Sequence, residues 1–311
     1  MNAPLLQIDD LHVTFSTPLG EVRAVRGVTL DVAKGEVLGI VGESGCGKSV
    51  TFRALLGLTP GSSRVEGTVR LHGDRIDTEG SLCASAAMVY QNPGAALNPV
   101  FTIGQQLALV AGTKDRAVLA KLLTDVGLPD PATALDAYPH EFSGGMRQRA
   151  VIAFALAQSP ELLIADEPTT ALDVTTQAQV LDLIGELRDS SDLTVVLVSH
   201  DLAVIRRVCD RVAVLYAGQV VEVGATNEVL HNPTHPYTAA LLASTPRLDN
   251  VARELPSIPG MVPDGRSVVE GCAFAPRCGF ATPECTTWQP VLRTTSGRDH
   301  EAACLLVGEA S

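Results

Sequence analysis

The chain has 311 residues, 46% of them apolar, enough to bury the core of one large domain plus a smaller one. Its formal net charge of −12 speaks against a general nucleic-acid binder, which presents a basic surface, so no nucleic-acid partner is expected. The N-terminus has no basic segment and no apolar stretch of signal length. The longest clean apolar run, Ala150 to Ala157, is far too short to cross a bilayer, so neither export nor membrane insertion is expected.

In chain order, Leu5–Phe15 and Val28–Val32 alternate in polarity and predict an antiparallel β layer. Glu36–Val41 reads as a buried strand and Phe52–Leu58 as a helix. Further on, Arg147–Gln158 and Thr176–Arg188 read as helices, with Leu162–Asp166 and Thr194–Ser199 as buried strands. Such alternation predicts an α/β fold, a mainly parallel sheet covered by helices. Composition changes after about Pro236. Downstream lie Pro246, Pro256, Pro259, Pro263, Pro276, Pro283 and Pro290, together with Cys272, Cys278, Cys285 and Cys304. The expected organisation is a domain over residues 1–236 followed by a small, loop-rich, cysteine-containing module over 237–311.

Three stretches carry chemistry. The first, Gly42-Glu43-Ser44-Gly45-Cys46-Gly47-Lys48-Ser49, fits G-x-x-x-x-G-K-[ST] between a strand and a helix. Glycines let backbone N–H groups turn inward around a polyphosphate, and the helix N-terminus adds its positive dipole end. Lys48 supplies a charge to the β- and γ-phosphates, and the Ser49 hydroxyl is a Mg²⁺ ligand. Cys46 reads as a small filler whose alkylation should block the nucleotide. In the second, an apolar strand ends in Asp166-Glu167. Asp166 is placed to hold the Mg²⁺ of ATP and Glu167 to polarise the attacking water. In the third, His200 ends the strand Thr194–Ser199 and is expected to sense the γ-phosphate.

Phe142-Ser143-Gly144-Gly145-Met146 separates this chain from other phosphate-loop proteins. A Ser-Gly-Gly turn opening a helix resembles the signature motif of ABC ATPases, with Phe142 and Met146 where the family usually carries Leu and Gln. Its exposed N–H groups make a second anion site, which two chains need if each signature closes over its partner's phosphate loop. By the same resemblance, Gln91 corresponds to the Q-loop glutamine that senses Mg²⁺ and the membrane subunit. Ala171-Leu172-Asp173 corresponds to the D-loop that crosses the dimer, and Phe15 to the aromatic that stacks on adenine. The resemblance implies a P-loop NTPase fold: a RecA-like core, an antiparallel β layer, and a helical subdomain at about residues 92–158. It also implies an active ATPase using ATP and Mg²⁺.

Gln91-Asn-Pro-Gly-Ala-Ala-Leu-Asn-Pro99 and Asn232-Pro-Thr-His-Pro-Tyr237 resemble segments of dipeptide/oligopeptide importer ATPases, a group that also includes nickel importers. That resemblance implies several partners: a second ATPase, two transmembrane permease subunits and, indirectly, an extracytoplasmic peptide-binding protein. The chain would then sit peripherally on the cytoplasmic face of the cell membrane. The cysteines Cys272, Cys278, Cys285 and Cys304 resemble the set that holds a [4Fe–4S] cluster in some members. Tetrahedral Zn²⁺ and unligated thiols are the alternatives.

Overall fold

A computed structural model describes residues 4–76, 85–170, 172–245, 257–267, 269–295 and 299–307. Cys83, Ala171, Pro246 and Pro256 lie outside the described residues. The described residues form two compact units. One is drawn from 1–33, 38–82 and 199–311, the other from 34–37 and 83–198.

The first unit opens with a long hairpin, β1 (Pro4–Thr17) and β2 (Gly20–Ala33). Leu6, Ile8 and Val13 of β1 stand opposite Val32, Leu30 and Val25, and all six are buried. This is the antiparallel layer that the alternating pattern predicts, extended by several residues beyond it. The chain continues into β3 (Val37–Val41), α1 (Lys48–Leu55), β4 (Ser63–Leu71) and β5 (Asp74–Arg75). The strand order β2-β1-β4-β5 completes this layer. Helix α1 begins four residues before the predicted start and stops at Leu55. It stops because Gly57 turns left-handed at φ +65°, and Leu58 N–H closes on the Arg53 carbonyl at 2.9 Å.

In the second unit, β6 (Ala86–Val89), β7 (Leu162–Asp166) and β8 (Thr194–Val198) pair in parallel, β7 in the middle. Every residue of β7 and β8 is buried, which is why both read as continuous apolar runs. Between β6 and β7 lie α2 (Pro93–Ala96), α3 (Ile103–Ala111), α4 (Arg116–Asp125), α5 (Pro131–Ala134) and α6 (Gly144–Leu156). Side-chain caps from Asn92, Thr102, Asp115 and Ser143 start four of them. Between β7 and β8 runs α7 (Val174–Ser191), capped by Asp173.

The chain then returns to the first unit through α8 (Leu202–Val208), β9 (Arg211–Tyr216), β10 (Gln219–Ala225), α9 (Thr226–His231) and α10 (Pro236–Ala243). The last elements are β11 (Arg293–Thr294) and β12 (His300–Ala302). Strand β3 pairs parallel to β9, β9 antiparallel to β10, and β12 antiparallel to β10. The cysteine-rich end thus contributes a strand to the sheet that carries the phosphate loop. Buried Glu222 of β10 fastens this junction: its carboxylate accepts from His300 Nε2 at 2.7 Å and from the N–H groups of Thr234 (2.6 Å) and His235 (3.0 Å).

Candidate nucleotide site

The phosphate loop hangs between β3 and α1. Gly42 has φ +151°, and a Cβ there would lie 2.2 Å from the Leu215 carbonyl oxygen. Gly47 has φ +99°, and a Cβ there would lie 2.5 Å from the Ala24 carbonyl oxygen. Both obstacles are backbone, so only glycine fits either place. Gly47 is also the N-cap of α1 and brings no capping side chain, which leaves the helix N-terminus to a ligand. Such a cradle suits a polyphosphate. Ser44 and Gly45 are exposed at its tip, and Ser49 is half-buried in the first turn of α1.

Lys48 is buried, and its ammonium donates to the carbonyls of Gly42 (2.7 Å) and Glu43 (3.0 Å). Glu43 is held three ways. Its carbonyl accepts from Lys48, its N–H donates to the Tyr237 hydroxyl at 2.8 Å, and its carboxylate receives the Arg277 guanidinium at 2.7 and 3.1 Å. Cys46 is almost fully buried, and burial pushes its thiol up from the ordinary cysteine value. Its sulfur packs close to Gly42, and a thiol so buried is a poor target for alkylation. Phe15 sits half-buried near the end of β1, opposite Val22 and Ser63. His200 is exposed just past Ser199, whose N–H donates to the Ile40 carbonyl at 3.0 Å.

In the other unit, Asp166 is buried at the end of β7. Glu167 follows with φ +49°, a left-handed conformation rare for this residue type, and its N–H donates to the Val198 carbonyl at 2.9 Å. The Glu167 Oε2 oxygen accepts from Gln91 Nε2 and from Thr170 Oγ1, both at 2.9 Å. The structure therefore brings together Gln91 and Glu167, and adds Thr170, which sequence reasoning missed.

The Ser-Gly-Gly turn stands at the start of α6. Ser143 is the N-cap, its hydroxyl accepting from Met146 N–H at 3.3 Å, and Gly144 is exposed. A Cβ on Gly145 would lie 2.4 Å from Cγ2 of Thr176 on α7. The same Thr176 donates its hydroxyl to Asp173 Oδ2 at 2.7 Å, while Asp173 Oδ1 accepts the N–H groups of Thr175 and Thr176. The Thr176 hydroxyl thereby holds the Asp173 carboxyl below its ordinary pKa. One threonine thus ties Gly145 to Asp173.

All four C-terminal cysteines border one small cavity of about 60 Å³, together with Phe274, Phe280 and Trp288. Backbone N–H groups of Phe280 and Thr282 point at the sulfurs of Cys278 (3.4 Å) and Cys285 (3.5 Å). The donor chemistry suits a soft metal. The placement differs from the expectation: among the described residues, no group of three or more His, Cys, Asp or Glu is arranged to hold a metal ion.

Comparison with known proteins agrees with this geometry. The ABC transporter family matches residues 25–170, and the C-terminal region of oligopeptide/dipeptide transporters matches residues 221–285. The dipeptide transport ATP-binding protein DppD of Bacillus subtilis is 45% identical over 97% of this chain and 94% of its own length. The chain belongs to the dipeptide/oligopeptide family of ABC transporter ATP-binding subunits. The oligopeptide transport ATP-binding protein OppD of Haemophilus influenzae is 42% identical over 91% of each chain. Among solved structures, cbiO1 of Clostridium perfringens, part of the ABC transporter complex cbiONQ, superposes with a TM-score of 0.63 at 26% identity. That match covers 74% of this chain and 91% of cbiO1. This ABC subunit is accordingly an ATPase of P-loop α/β fold, with ATP and Mg²⁺ as its expected ligands. Among its described residues, no helix is long and apolar enough to cross a membrane.

Proposed function

We propose that this ABC ATPase powers the import of di- or oligopeptides from the cytoplasmic face of the membrane. The observation that carries the reading is the coexistence of a backbone-locked phosphate cradle at Gly42–Ser49 with a capped helix start at Ser143-Gly144-Gly145 whose Ser143 and Gly144 are exposed. The relatives' roles in dipeptide and oligopeptide transport supply the cargo class. Its partners are a second ATPase, two transmembrane permeases that contact the segment after Gln91, and, through them, an extracytoplasmic peptide-binding protein. Exposed Val100 and Phe101 suit that permease contact.

In the cycle, Phe15 stacks on adenine and the loop N–H groups of residues 42–49 grip the phosphates with Lys48. Ser143, Gly144 and Gly145 of one subunit close over the loop of the other, and Asp173 lies along the same joint. Ser49, Asp166 and Gln91 would hold Mg²⁺, which would supply neutralisation of the charge on the polyphosphate. Glu167, oriented by Gln91 and Thr170, takes the proton of the attacking water, and His200 contacts the γ-phosphate. Closure moves the permeases only through the difference in stability between open and closed pairs.

The four C-terminal thiols would hold a [4Fe–4S] cluster in preference to Zn²⁺, as a structural staple, by drawing closer together than they stand here. Support comes from their shared cavity and the N–H groups aimed at two sulfurs. Iron and acid-labile sulfide in the purified protein support the cluster; zinc alone, or no metal, refutes it.

The decisive experiment uses the assembled transporter. Glu167→Gln should bind ATP and release no phosphate, and parental turnover would overturn the base assignment. Peptide uptake lost on deleting the chain supports the cargo class, whereas loss of nickel uptake alone moves the chain to the metal-importing branch.

A further inference from the structure

Arg277 belongs to the C-terminal module, one residue before Cys278, yet its guanidinium ends at the phosphate loop. All five of its N–H donors are used. Nε donates to the Pro259 carbonyl at 2.7 Å. Nη1 donates to Glu43 Oε2 at 2.7 Å and to the Tyr216 hydroxyl at 3.2 Å. Nη2 donates to Glu43 Oε1 at 3.1 Å and to the Ile258 carbonyl at 3.2 Å. The side chain is only 4% exposed and lies over the rings of Tyr216 and Phe274, 5.7 and 5.8 Å from their centroids. The fork is therefore rigid, and the bidentate grip on Glu43 fixes that carboxylate in direction as well as distance.

The consequence lies in what Lys48 does. Its ammonium donates to the carbonyls of Gly42 and Glu43. An ammonium has three N–H donors, so contacting both the β- and γ-phosphates leaves it only one of these two bonds. The loop then keeps its first turn only if something else holds Glu43. Tyr237 holds the Glu43 N–H, and Arg277 holds its side chain. Tyr237, Tyr216 and Phe274 form one aromatic cluster, with centroids 4.5 to 5.4 Å apart, so both anchors stand on the same support.

We infer that Arg277, with Tyr237, is a positioning residue for nucleotide binding: the C-terminal module holds the first turn of the phosphate loop open for MgATP from within the same subunit. This deepens the nucleotide reading of Gly42–Ser49 and rests on it. A purely architectural ion pair would contribute to stability and leave affinity alone. A positioning pair sets affinity, and its two halves act as one unit.

The test measures MgATP affinity and steady-state turnover of the full-length chain in its transporter, for the parent and for Arg277→Lys, Glu43→Gln, Tyr237→Phe and the Arg277→Lys/Glu43→Gln double variant. Lysine keeps the charge but loses the fork. Each single variant should weaken MgATP binding about five- to tenfold, and the loss should appear in KM for MgATP more than in kcat, since the lost contact acts before chemistry. The double variant should be no weaker than the worse single. Unaltered affinity in Glu43→Gln and Tyr237→Phe overturns the inference even if Arg277→Lys fails to fold, as does a double variant whose losses multiply. Failure of the parent itself to bind MgATP would instead refute the nucleotide reading.

Discussion

Gly145→Ala tests the close approach of α6 and α7. The added methyl would sit 2.4 Å from Thr176 Cγ2, over an ångström inside ordinary carbon–carbon contact at about 3.5–4.0 Å. Thr176 cannot swing aside freely, because rotation about χ1 also removes its hydroxyl from Asp173, to which it donates at 2.7 Å. Overpacking of this kind costs about 1–3 kcal/mol, and the better helix propensity of alanine returns up to about 1. The net loss should be about 1–2 kcal/mol, a melting point lower by roughly 3–6 °C for a domain of this size. Thr176→Ser removes the obstructing methyl and keeps the hydroxyl, so the double variant Gly145→Ala/Thr176→Ser should regain most of the loss. Thermal unfolding followed by circular dichroism reads both steps. A single variant that melts with the parent, or a serine that recovers nothing, refutes the account of why this glycine is needed.

Other consequences are equally accessible. Burial holds the His235 imidazole down to about 4, and its Nδ1 accepts the Tyr237 N–H, so the folded ring is neutral. The unfolded chain takes up that proton below about 6.5, so this contribution is complete above pH 6.5. It falls as pH drops, with about 3 kcal/mol lost by pH 4. His235→Asn, which keeps an acceptor at the helix cap, should flatten that slope in urea titrations, and an unchanged slope contradicts the assignment. Gly47→Ala forces a side chain into φ +99° and against the Ala24 carbonyl. It should abolish binding of a fluorescent ATP analogue, and retained binding would dispose of the cradle argument. Thr170→Val removes one donor to Glu167. It should slow phosphate release about fivefold, the worth of one hydrogen bond at about 1 kcal/mol, with MgATP affinity unchanged; a loss of affinity alone would contradict the orienting role.

The phosphate cradle was legible because its chemistry is local: glycine spacing, one lysine and one hydroxyl lie within eight consecutive residues. β7 and β8 were legible for a related reason, since strands buried on both faces leave unbroken apolar runs. Helix α6 read as starting at Arg147, because its first residues are Gly144 and Gly145, poor helix formers that the Ser143 cap rescues. Long-range pairing left no such trace. Nothing in the tripeptide at His300–Ala302 tells that it lies against Glu222–Gly224, because the deciding contact is a buried carboxylate 78 residues away. Arg277 was invisible for the same reason, being separated from Glu43 by 234 residues. Cysteines and prolines dominate the segment around it, and a single arginine among them adds no periodicity.

One unit draws on both early and late stretches of the chain, while the other draws mostly on one continuous middle stretch. During synthesis, which exposes chains from the N-terminus, the middle body has its residues in hand while the ribosome is still working on the rest. The Gly42–Ser49 turn emerges early yet can meet Tyr237 and Arg277 only after the whole middle body has been made.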